Sequence, residues 1–175
     1  MITSSKSFTQ NDDEPLEMSP PGSRRKAREL ALQGLYAMEY SSHSVDQVMK
    51  DLFSFHDRDD TVQAFTRLHI DKTLEHQGEL DNYIRTYAAN WDFERIAAVD
   101  RIILRMAICE FVYFWDIPPK VSIDEAIELS KCYSTEQSSR FVNGILDAIL
   151  LDLKDHNRLI KVGRGLKDGE ESDAL

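Results

Sequence analysis

The sequence has only two cysteines, Cys109 and Cys132, and they form no C-x-x-C pair. Neither a zinc knot nor a dithiol redox motif is present, and Cys109, inside an apolar stretch, reads as a small buried hydrophobe. A glycine-rich phosphate loop, H-E-x-x-H and G-x-S-x-G are all missing, which removes the common nucleotide-dependent, metalloprotease and serine-hydrolase chemistries. No run alternates apolar and polar residues between turn signals, so no strand is expected. The Asn143-Gly144 pair, which elsewhere would suggest a hairpin, sits inside a strong helical period. Residues 1–22 lack the continuous apolar core of a signal peptide. The longest apolar stretch, Glu94 to Trp115, carries Asp100, Arg101, Arg105 and Glu110. In a bilayer each would cost roughly 2.5–3.5 kcal/mol. The expectation is a cytoplasmic protein with reduced thiols and no membrane span.

What is present is helical periodicity. A chain of 175 residues buries roughly 70% of its unfolded surface and needs no staples. Helix one is expected from Ser23 to about Tyr40, with Leu30, Ala31, Leu35 and Met38 inward. Helix two carries Val45, Val48, Met49, Leu52 and Phe53 at full helical spacing. Helix three starts near Asp59-Asp60 with Val62, Phe65, His69 and Thr73 as a weaker inward face, and Gly78 marks a break. Helix four places Leu80, Tyr83, Ile84, Tyr87 and Trp91 on one side. The fifth, Glu94 to Trp115, is apolar on nearly every side, as suits a helix in the middle of a bundle. After Pro118-Pro119, two S-x-x-E/Q boxes, Ser122/Glu125 and Ser134/Gln137, are read as opening helices six and seven. Gly144 inside helix seven costs about 1 kcal/mol against Ala and suggests close packing there. The fold class is therefore all-α: about seven helices in two small sub-bundles around a central apolar helix. Residues 1–22 form an acidic, proline-bearing extension expected to be disordered, residues 23–155 the helical domain, and 156–175 a polar, acidic tail.

The net charge is −10, which argues against unspecific coating of nucleic acid. Its distribution is uneven. Acidic segments at 11–17 and in the tail flank a basic patch, Arg24, Arg25, Lys26 and Arg28. These cations occupy the first turns of a helix, where the dipole disfavours them by some tenths of a kcal/mol each. Arg24 and Arg28, like Arg25 and Arg28, share a face and could follow a phosphate backbone together. A solvated charged face and a partner for residues 12–17 are the competing readings. Other polar groups carry less. His69 and His76 with Glu75 read as ordinary helix residues rather than metal ligands, and Asp124, Glu125 and Glu128 as first-turn acids. No enzymatic activity and no cofactor are expected.

Two blocks carry a resemblance. RRKARELALQGLYAMEYS and AAVDRIILRMAICEF, followed by IPPKVSIDEAIELSKCYSTEQSSRFVNGILDAIL, are similar to the opening helix and C-terminal signature of the bacterial transcription antitermination family NusB. The likeness spans most of residues 23–153. It implies an RNA-binding factor that pairs with the small-subunit ribosomal protein acting as NusE. Together they recognise single-stranded boxA RNA within the RNA polymerase antitermination complex on ribosomal RNA operons. Carried over residue by residue, Arg24, Arg25, Lys26, Arg28, Tyr36 and Phe141 are expected to approach RNA. Asp100 is expected to meet the protein partner, with Arg101 and Arg105 on nearby surface as further candidates for that contact. The residues themselves leave Tyr36 open between a base platform and core packing, and favour core packing for Phe141. Ser134-Thr135-Glu136-Gln137 departs from the family's usual Glu-Asp turn. The long acidic extension departs too, and could screen the basic patch. A pure protein adaptor or a ribosome-biogenesis factor is the alternative reading. A NusB-like domain of a ribosomal RNA methyltransferase is disfavoured, since little chain follows the last helix. A homodimer hiding the patch stays open.

Overall fold

The computed structural model describes residues 22–54 and 59–163. The acidic extension before Gly22 and the tail after Gly163 lie outside the described residues. Among the described residues there are seven α-helices and no strand. They are α1 (Ser23–Glu39), α2 (Val45–Ser54), α3 (Asp60–Glu75), α4 (Gln77–Tyr87), α5 (Ala98–Tyr113), α6 (Pro119–Tyr133) and α7 (Glu136–Asp155), with a 3₁₀ turn at Phe93–Arg95. Helices α1, α2 and α3 pack on one another, and α4, α6 and α7 gather with α5; α5 also touches α1 and α3. Every residue of α5 from Ile102 to Phe111 is buried. Its all-round hydrophobicity thus follows from having neighbours on every side.

The helix boundaries depend on local chemistry that differs from the expectation in three places. Asp59 caps α3 as anticipated, accepting from the amides of Thr61 and Val62 at 2.9 and 3.3 Å. Helix α6 instead starts at Pro119, whose fixed φ and missing amide proton suit a first helical position. Ser122 and Glu125 therefore do not form a capping box; both side chains reach out to other helices. At α7 the cap is Thr135 rather than Ser134, with its hydroxyl accepting from the Ser138 amide at 3.0 Å. The α3–α4 break falls at His76, two residues before Gly78.

The end of the domain also differs. Asn157 adopts a left-handed φ of 52°, and the Arg158 amide donates back to Leu153 O at 2.8 Å, closing α7 in a Schellman turn. The chain then returns as a strap. Leu159 packs on the core, and buried Lys161 donates from Nζ to the carbonyls of Glu110 and Phe114 at 2.8 and 2.9 Å. These carbonyls at the end of α5 also accept the amides of Phe114 and Ile117 at 3.3 and 3.2 Å, and the ammonium takes the second lone pair of each. Residues 156–163, read from sequence as part of the tail, thus belong to the domain.

A Cβ placed on Gly144 would meet nothing within 4 Å, so the close packing expected there is absent. The close approach occurs at Gly34 on α1. A Cβ there would lie 2.9 Å from Ile70 Cδ1, 3.1 Å from Val48 Cγ1 and 3.2 Å from Leu52 Cδ1. Gly34→Val is expected to force these three side chains apart and cost about 1–3 kcal/mol. A urea midpoint that does not move would show that the α1–α2–α3 junction yields freely.

Candidate nucleic-acid interface

The first turn of α1 contains no acidic residue, and Gly22 enters it with a left-handed φ of 88° and no side-chain cap. Four cations follow, and the structure divides them. Arg25 is the most open, its side chain 66% exposed, and it forks onto Glu125 of α6 with contacts of 2.7 and 3.1 Å. Lys26 is half exposed and meets Glu29 at 3.0 Å. Arg24 reaches Asp116 at 2.7 Å, its guanidinium 5.1 Å from the Phe65 ring centre. These partly exposed pairs are worth about 0–1 kcal/mol each. An arginine carries five N–H donors, so pairing with one carboxylate leaves donors for a phosphate.

Arg28 is a correction. It is buried, with Nε 2.6 Å and Nη2 3.2 Å from the two oxygens of Glu110, and cannot share a face with Arg24 and Arg25 for RNA. The Glu110 carboxylate has four such contacts. His69 Nε2 lies 3.0 Å from Oε1, and the Ser122 hydroxyl donates to Oε2 at 2.6 Å. Burial alone would raise the Glu110 carboxyl. The Arg28 guanidinium and the His69 bond overcome that and hold it well below the usual carboxylate range. Sequence held the signal for Arg28: at i−3 and i−7 from Ala31 and Leu35 it falls on the inward stripe of α1.

Beyond the cations, α1 presents Tyr36, 45% exposed, with its ring centre 5.1 Å from that of Tyr40. The two rings line a cleft of about 450 Å³ whose opposite walls are Ala97–Val99 and Tyr133. The Tyr133 hydroxyl donates to Glu29 at 2.5 Å and accepts from Gln33 at 3.0 Å, tying α1 to the end of α6. Tyr36 is therefore on the surface rather than in the core. Phe141 is half-buried and packs on the outside of the core, its ring 5.4 Å from Trp91. Trp91 corrects the expectation for helix four: α4 ends at Tyr87, and Trp91 stands in the following loop, 62% exposed.

Of the three residues expected at the protein partner, Asp100 and Arg101 follow the Ala97–Val99 wall of the cleft along α5 and Arg105 lines a separate pocket with Glu39, and little of any of them is exposed. Asp100 is 5% exposed, and its Oδ1 has no hydrogen-bonding partner among the described residues. Arg101 donates to the Ile96 carbonyl at 3.1 Å and to Glu39 at 3.3 Å. Arg105 is a second correction: expected on the surface, it is buried and forked onto Asp81 at 2.6 and 3.1 Å. Arg101 and Arg105 converge on Glu39 and clamp α5 to α1 and α4.

Residues 25–151 match the family model of NusB. The chain belongs to the NusB family. It is 48% identical to the transcription antitermination protein NusB of Salinibacter ruber over 82% of this chain and 91% of that one. The solved NusB of T. maritima superposes with a TM-score of 0.68 at 34% identity, over 77% of this chain and 94% of that one. A NusB chain solved with NusE and double-stranded RNA shares the fold at 23% identity, with a TM-score of 0.68 over 76% of this chain and 99% of that one. Membership makes this a transcription antitermination protein. No helix among the described residues is long and apolar enough to cross a membrane.

Proposed function

We propose that the protein binds single-stranded boxA-type RNA together with the ribosomal protein that acts as NusE. In this way it supports processive transcription of ribosomal RNA operons, acting in the cytoplasm and contributing no bond-making chemistry. The observation that carries this reading is the joint placement, on the family-matching α1, of accessible Arg25 and Lys26 with the open Tyr36–Tyr40 cleft. Single strands are held by this combination of cations for phosphates and aromatic faces for bases. Arg24, Arg25, Lys26, Tyr36 and Phe141 are the proposed RNA contacts. Asp100 marks the end of α5 that faces the protein partner. Arg28, Arg101 and Arg105 hold those elements in place. Two weak surfaces engaging two linked partners gain affinity through effective concentration.

One observation favours a pure protein adaptor: each cation of the first turn already has a carboxylate partner. Fluorescence anisotropy with a labelled boxA-like strand, its scrambled version and a duplex separates the two readings. Added ribosomal protein should tighten binding of the boxA-like strand at least tenfold, with the single strand preferred over the duplex. Binding of the ribosomal protein without any RNA affinity, alone or together, would leave the adaptor standing.

A further inference from the structure

A large aromatic side chain left in water is uninformative alone, but an exposed aromatic group on an anchored loop is a presented surface. Trp91 is of this kind. The loop around it is fixed from several sides. The Trp91 amide donates to Ala88 O at 2.8 Å. Asp92 accepts from the Glu94 amide at 3.2 Å. Two guanidinium groups lie over the Phe93 ring, Arg85 at 3.9 Å and Arg101 at 5.4 Å from its centre. Arg101 also binds the Ile96 carbonyl at 3.1 Å. None of these contacts draws the indole inward. Its aromatic neighbour is Phe141, at a ring tilt of 60°, which leaves an indole face open.

The position of this pair matters as much as its exposure. Trp91 precedes the 3₁₀ turn that leads to Ala97–Val99, a wall of the Tyr36–Tyr40 cleft. Phe141 lies in the first turns of α7, across the short turn from Tyr133 of the same cleft. The two aromatic groups thus share one end of the molecule, at the start of α5. Arg95 is exposed on the Trp91 side, and Arg140, its side chain 80% exposed, adjoins Phe141. The exposed carboxylate of Glu136 meets Arg140 at 3.2 Å, and that of Glu94 lies 3.9 Å from Arg85. The Arg140–Glu136 contact is a fully solvated i, i+4 pair, weak enough to yield to a phosphate.

We propose that Trp91, backed by Phe141, is a second base-stacking platform that extends the single-stranded RNA path beyond the Tyr36–Tyr40 cleft. This rests on the RNA-binding reading above and adds a contact to it. Stacking on an aromatic face tolerates any base, so the platform supplies affinity and footprint length rather than sequence choice.

The chain has two tryptophans, so Trp115→Phe makes Trp91 the sole indole reporter. Titrating this full-length variant with 5′-labelled oligouridine should quench Trp91 emission along the same saturation curve as the anisotropy of the label. Trp91→Ala should weaken binding roughly 5- to 150-fold, with melting temperature and salt dependence unchanged. Trp91→Phe should recover most of that loss, since it keeps an aromatic face. RNA bound by anisotropy with unchanged Trp91 emission, or Trp91→Ala binding as tightly as the parent, would overturn the platform and leave the RNA reading intact. Emission that responds to the ribosomal protein alone and not to RNA would make Trp91 a protein contact, also overturning it. No RNA binding by any variant, with or without that protein, would remove both readings.

Discussion

Glu110→Ala should cost about 3–5 kcal/mol of folding stability, the range for stripping one partner from a buried ion pair. The reason is the state it leaves behind. Arg28 stays buried with only the more distant Glu125, 4.0 Å from Nη1, as a carboxylate neighbour, and both His69 Nε2 and the Ser122 hydroxyl lose their acceptor. For a domain of this size the loss corresponds to a fall in melting temperature of about 10 °C. Glu110→Gln should fall between, since the amide keeps one acceptor oxygen and gives up the charge. The paired change Arg28→Met/Glu110→Gln should cost less than the sum of its parts, because it removes both members of the ion pair. Urea unfolding followed by circular dichroism measures each variant against the parent. A loss under about 1 kcal/mol for Glu110→Ala would mean that water or a rearranged side chain replaces the carboxylate, and that the cluster does not hold α1, α3, α5 and α6 together.

The same cluster sets a pH dependence with a definite sign. The Glu110 carboxyl is held below its ordinary value in the folded protein, by Arg28 and His69 against the opposing effect of burial. At low pH the unfolded chain therefore binds a proton that the folded chain does not. The stability due to this group is fully present above an unfolded carboxylate value of about 4.3 and is lost as pH falls below it toward the depressed folded value. Glu110→Gln should flatten that part of the acid limb. An equally steep limb in the variant would assign acid sensitivity to other carboxylates.

The cluster also shows what periodicity can and cannot reveal. The seven helices, the central position of α5 and the inward faces of α1, α2 and α7 follow from apolar spacing, which reports which side of a helix leaves water. The partners of a polar residue on such a side are not local. Arg28 and Glu110 are 82 positions apart, and Arg25 and Glu125 are 100 apart. A basic run at a helix start therefore reads as one patch, although one member is in the core and three lie at the surface. Ser122 and Glu125 match the capping pattern by spacing, yet tertiary partners take both side chains. Tyr36 stays open between surface and core in the sequence because it lies beside the inward stripe, and only the structure puts it at the surface. Trp91 is not, because apolar spacing extends helix four past Tyr87, where the chain in fact leaves the helix and turns the indole outward.

That division of the basic run leads to the second large effect. With Arg24, Arg25 and Lys26 available and Arg28 withdrawn, log K for a single strand should fall against log salt with a slope no steeper than about −2, rather than the roughly −3 that four free cations would give. Arg24→Ala/Arg25→Ala should flatten the slope by about 1.4 and weaken binding about 25-fold at about 0.1 M salt, while leaving the fold intact, because both ion pairs are partly exposed. Arg28→Ala should do the reverse. Its folded fraction should keep the parental slope, and its melting temperature should drop as Glu110 loses its main counter-charge. Anisotropy across a salt series, run beside thermal melts, gives both numbers for each variant. If Arg28→Ala flattened the slope without lowering the melting temperature, Arg28 would have to leave Glu110 to meet RNA, and α1 would have to move on binding. If the double variant kept the parental slope, the phosphates would be held elsewhere. The exposed Arg95 and Arg140 beside the Trp91–Phe141 pair would then become the cations to replace.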